Sequence, residues 1–140
     1  MRFALVAATA AVCMLAGAAQ AATVHYGATL KGADEVPAND TAGTGKVDAT
    51  LDTATKAFTY TVTYSGLTGA ATAGHFHGPA AVGANAGVQV PVVVTASPIK
   101  GTATLTDAQI ADLNAGKWYF NIHTMAHPPG EIRGQVAAMK

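Results

Sequence analysis

Strict alternation constrains this chain more than any other feature. From Lys56 to Tyr64 the sequence reads KAFTYTVTY: Phe58, Tyr60, Val62 and Tyr64 point one way, Thr59, Thr61 and Thr63 the other. A period of two belongs to a half-buried strand, and aromatic and β-branched residues suit a pleated surface. The stretch before it, GKVDATLD, obeys the same rule with Val47, Ala49 and Leu51 inward and Lys46, Asp48 and Asp52 outward. DTATK between them reads as a hairpin connection. Further strands are expected at Val24 to Leu30, Thr72 to His77, Val88 to Val94, Gly101 to Leu105, Lys117 to His123 and Glu131 to Val136. Seven or eight short strands punctuated by Gly, Pro, Asn and Asp predict an all-β, antiparallel, Greek-key-like β-sandwich.

One short connecting helix interrupts the pattern. In LTDAQIADLNAG, Thr106 and Gln109 form a capping box, Leu105 and Ile110 a hydrophobic staple, and Gly116 suits a left-handed helix end. Two segments resist strand assignment, KGADEVPANDTAGTG and HGPAAVGANAGVQV, and both read as long loops. Long loops on a rigid sandwich are where binding groups usually sit.

The N-terminus differs from the rest. Met1 and Arg2, an apolar run from Phe3 to Ala18 and the small-residue pattern Ala19-Gln20-Ala21 predict a secretory signal peptide over 1–21, followed by one domain over 22–140. The expected location is periplasmic or secreted, with no stable membrane span after cleavage. The single cysteine, Cys13, falls inside the leader, so the mature domain must be stabilised by packing or by a bound ion rather than a disulfide. Lys and Arg number 8 and Asp and Glu 8, which gives no electrostatic footprint for nucleic acid and no polybasic membrane patch.

Four of the five histidines sit at strand ends beside turns. In AGHFHGPA, His75 and His77 share one strand face about 7 Å apart, so both rings can reach one ion at about 2 Å while Phe76 packs behind them. In NIHTMAHPPGEIRG, His123 and His127 form a second pair. Without a thiolate, His75, His77, His123 and His127 are the candidate metal ligands, and imidazole nitrogen favours copper ahead of zinc. Met125 can add a thioether suited to Cu(I), or simply pack as a loop residue. Glu131 can orient an imidazole or pair with Arg133, and His25 stands alone in the first strand. Other chemistry finds no support. Ser65 and Ser97 lack a nucleophile elbow, Asp34-Glu35 reads as a structural turn rather than a catalytic carboxylate pair, and no catalytic residue is assigned.

Taken together, LKGADEVPAND with GTG, GHFHGPA, PIKGTATLTDAQIADLNAGKWYFNIHT and HPPGEIRGQV resemble the CHRD domain, a module named after chordin and found alone in many bacterial exported proteins. The resemblance covers about Val24 to Val136 and implies an extracellular or periplasmic β-sandwich. The motif positions matched are His75, His77, Gly78, Pro79, Asn121, His123 and Thr124; His127 is less typical of the family. A more distant similarity in layout, to copper-zinc superoxide dismutase, implies that Arg133 stands near an ion held by His75, His77 and His123. The dismutase's zinc loop and disulfide have no counterpart here. The leading expectation is an exported copper-binding protein for storage, transfer or protection. The alternatives are a metal-free structural or interaction module with an envelope protein partner, and a copper-dependent superoxide or redox enzyme.

Overall fold

The computed structural model describes residues 21–140, so the expected leader lies outside the described residues except for its last position. Eight strands follow in order: β1 (Thr23–Lys31), β2 (Thr44–Asp52), β3 (Ala57–Ser65), β4 (Ala71–His77), β5 (Val88–Val92), β6 (Ile99–Thr104), β7 (Trp118–Thr124) and β8 (Ile132–Ala138), with one α-helix, α1 (Asp107–Asn114), between β6 and β7. A single 3-10 turn, Gly32–Asp34, follows β1. The helix carries the expected capping box of Thr106 and Gln109, and Gly116 has φ 68° just beyond its end. Among the described residues no helix is long and apolar enough to cross a membrane.

All strands join one antiparallel sheet in the order β5-β4-β7-β8-β1-β2-β3-β6. The fold is therefore all-β as expected, but the two layers are halves of one continuous sheet that curls over on itself. Strands β3 and β4 stand five places apart in that order, which in a flat sheet is about 24 Å. Yet Phe58 of β3 and Phe76 of β4 meet edge to face at 5.2 Å between ring centroids. The attraction of the apolar faces closes the sheet around a core of Tyr26, Leu30, Val47, Leu51, Phe58, Val62, Phe76, Trp118, Phe120, Ile122, Ile132 and Val136. Register keeps the apolar rows aligned: Tyr26 faces Ala49 and Ala49 faces Tyr60.

Strand β7 departs from simple alternation. Trp118, Phe120 and Ile122 enter the core, but Tyr119 and Asn121 on the opposite side are buried too. That second burial comes from the two long loops. The loop after β4 is pinned down by Gly78 N–H to Gly87 O at 3.1 Å and by Gln135 Nε2 to Ala80 O at 2.9 Å. The loop after β1 is pinned by Asn39 Nδ2 to Glu131 O at 3.0 Å.

Candidate metal centre

The histidines assemble on the outward side of β4 and β7. Alternation along β4 sends Phe76 into the core and His75 and His77 away from it. Antiparallel register sets Ala73 opposite His123, His75 opposite Asn121 and His77 opposite Tyr119. His75, His77 and His123 thus become neighbours across two adjacent strands, each offering a ring nitrogen within 4.8 Å of the others. The closest approach is His75 Nδ1 to His123 Nε2, 3.3 Å. Two nitrogens bound at about 2.0–2.1 Å to one tetrahedral ion stand about 3.3 Å apart, so the spacing suits an ion as well as a hydrogen bond between the two rings.

The loops set the tautomers. His77 Nδ1 lies 3.0 Å from Ala86 O and His123 Nδ1 lies 2.9 Å from Pro128 O. A carbonyl can only accept, so in the neutral rings both Nδ1 atoms carry the proton and both Nε2 atoms present lone pairs, the usual way a protein aims imidazole ligands. Burial, then the charges of His123 and His77, depress the pKa of His75. For His77 burial also leads, and outweighs the hydrogen bonds that the protonated ring would donate to Ala86 O and Asn121 Oδ1. Both rings are therefore held neutral near pH 7, the form that binds metal.

Around the triad lies a polar layer. Tyr119 has His77 stacked on it at 4.8 Å and 6° between planes, and Arg133 Cζ 3.4 Å from its ring centroid. Arg133 is only 2% exposed; it donates to Asn85 Oδ1 at 2.8 Å and to the Ala84 carbonyl. Its charge is felt at His77, but its guanidinium is engaged with the loop. Glu35, from the other loop, is 5% exposed, and its Oε1 has no hydrogen-bond partner. Burial raises its pKa to about 7, while the charge of Arg133 and hydrogen bonds from the Val36 N–H and the Asn121 side chain pull the other way. Gly130 makes room for it: with φ 138°, a Cβ at that position would lie 2.2 Å from Glu35 Oε1.

Several expected site residues lie elsewhere. His127 is outside the histidine group and closes the turn after β7, with its N–H 3.2 Å from Thr124 O and its own carbonyl accepting from Gly130 N at 3.1 Å. Met125 is 85% exposed on the same turn. His25 lines an exposed depression with Asp48, Thr50, Thr59 and Thr61. Glu131 neither pairs with Arg133 nor orients an imidazole. Its buried carboxylate accepts from Thr41 Oγ1 at 2.7 Å, Thr68 N at 2.8 Å, Thr68 Oγ1 at 2.7 Å and Thr124 Oγ1 at 2.6 Å. Conversely, Glu35 is no simple turn residue. Its signal in the sequence was slight, an acidic residue before Val-Pro in a loop, and only the return of that loop over β7 buries it.

Residues 26–136 match the CHRD domain family. No curated protein and no solved structure matches the chain. The family match spans the sandwich from β1 to β8, including all three clustered histidines, and the chain belongs to the CHRD domain family.

Proposed function

We propose that this chain is an exported CHRD-domain protein that binds copper through His75, His77 and His123, for storage, transfer or protection of the ion. The observation that carries the reading is the convergence of three half-buried imidazoles, two with Nδ1 committed to loop carbonyls. A ring whose Nδ1 proton is held by a second partner has Nε2 set as its ligating atom, the usual arrangement of metal-binding histidines. An all-nitrogen triad without thiolate favours copper over zinc by the divalent affinity order. Export rests on the leader read at 1–21. Titration with Cu(II) and with Cu(I) tests the proposal: a stoichiometric site is expected, lost in the His75→Ala/His77→Ala double variant. Binding weaker than micromolar, or unaffected by that change, contradicts it.

A second reading is a metal-free envelope or interaction module. It is favoured by family membership and by the same rings tying β4 and β7 to their loops through hydrogen bonds. It requires that the histidine variants lose equal stability with and without copper, and that a specific envelope protein is recovered by pull-down. A redox enzyme of the dismutase kind draws less support, because Arg133 is spent on Asn85, Ala84 and Tyr119 instead of facing an incoming anion.

A further inference from the structure

We propose that Asn121 supplies the fourth donor of the metal centre through its side-chain oxygen, and that Glu35 holds that oxygen turned toward the ion. This rests on the histidine site proposed above and completes its shell. Register places Asn121 directly opposite His75, diagonal to His77 and two residues before His123 on the same face. It is thus the one side chain adjacent to all three rings on these two strands. Its Oδ1 lies 3.1 Å from His77 Nε2, close to the donor separation of about 3.3 Å around a tetrahedral ion.

The contact is anomalous for a neutral imidazole. With the His77 proton on Nδ1 and donated to Ala86 O, Nε2 presents a lone pair to the lone pairs of an amide oxygen, and no hydrogen lies between them. A cation placed there satisfies both atoms. An unconstrained asparagine would relieve the clash by turning its NH2 to the ring. Glu35, when ionised, opposes that turn: its buried carboxylate attracts the Asn121 NH2 group, and reversal would set oxygen against oxygen in a site closed to water. Asn121 is itself buried, at 4% exposure, so solvent cannot compensate either group. The donor set is therefore three nitrogens and one oxygen. The oxygen shifts preference toward divalent copper, because Cu(I) gains little from a hard carbonyl ligand.

The test is the affinity of the full chain for Cu(II) and Cu(I), with the Cu(II) electron paramagnetic resonance spectrum, in Asn121→Ala, Asn121→Asp, Glu35→Leu and Glu35→Gln. Asn121→Ala is expected to lower Cu(II) affinity about tenfold or more and alter the spectrum, while Cu(I) affinity stays within about threefold. Asn121→Asp keeps an oxygen donor and retains or tightens Cu(II) binding. Glu35→Leu weakens Cu(II) binding, and Glu35→Gln, which still offers an acceptor to Asn121, restores it. Thermal melts of the metal-free variants confirm that each is folded. A wild-type chain that binds copper with an affinity and spectrum unchanged in folded Asn121→Ala overturns this inference and leaves the histidine site standing. A wild-type chain that binds no copper overturns both.

Discussion

Two polar clusters flank strand β7, one with the loops around Glu131 and one with β4, and they are built on opposite terms. Around Glu131 every partner complements the next: three threonines and one backbone N–H converge on an acceptor. Burial pushes that carboxyl up, but the donated hydrogen bonds from Thr124, Thr41 and Thr68 outweigh it and bring its pKa down to about 2. Around His77 the partners are matched less well. Glu35 keeps an oxygen without a partner, and Asn121 turns an oxygen to a ring nitrogen, while His75 and His123 meet nitrogen to nitrogen at 3.3 Å. A satisfied cluster fastens the end of the sandwich. An under-satisfied one is where the proposed ion would sit, and a bound cation would supply the partner its lone pairs lack.

The contrast can be broken in four ways. The largest effect is expected from Glu131→Ala, which strands the Thr68 N–H and three hydroxyls and costs about 3 kcal/mol of stability by urea unfolding; a loss below about 1 kcal/mol would mean that the threonines find other partners. Next comes metal linkage. Free Cu(II) at about a hundred times its dissociation constant should raise wild-type stability by about 2.7 kcal/mol, and that of His75→Ala/His77→Ala not at all. Equal gains in both proteins would place copper elsewhere, for instance on the turn bearing Met125 and His127.

The third effect is in pH. Glu131 has its folded pKa lowered from 4.5 to about 2, so its contribution is present above pH 4.5 and is lost as pH falls toward 2. Glu35 is raised from 4.5 to about 7, so its contribution is full below pH 4.5 and is lost as pH rises through 7. Arg133, Asn121 and the Val36 N–H face Glu35 and reduce the shift without reversing it. His75 and His77, lowered from 6.5, act the other way and remove stability as pH falls below 6.5. Glu35→Gln isolates the carboxyl: the stability of wild type minus that of the variant should fall between pH 5 and pH 8. A flat difference contradicts the buried, proton-holding Glu35. The smallest effect is expected on the open face of β2, β3 and β6, where Thr59 touches Thr102 at 3.5 Å and Lys46 pairs with Asp48 at 2.9 Å. Thr59→Ala there should change stability by no more than about 0.5 kcal/mol.

The strands were legible because their period of two survives burial of one face. KAFTYTVTY occupies β3 with Phe58, Tyr60 and Val62 in the core, and the capping box marked α1 correctly. Closure of one sheet rather than two was not legible, since it depends on strand order, which alternation leaves free. Within the site, His75 and His77 announced themselves by spacing, and His123 by its place at a strand end. His127 shared that signal but falls in the turn, because Pro128 and Pro129 carry no N–H to extend the ladder. Asn121 stood out only as a motif position of the resemblance, with no role attached, and Glu35 was hidden altogether. Their burial is created by loops returning over β7, and no local pattern records which loop covers which strand.

The most direct test of the central claim is anomalous diffraction at the copper edge from crystals of the chain grown with Cu(II). One strong peak is expected between β4 and β7, about 2.0–2.2 Å from nitrogens of His75, His77 and His123. A peak on the Met125–His127 turn alone, or none beside the three rings in a fully copper-loaded crystal, contradicts the account.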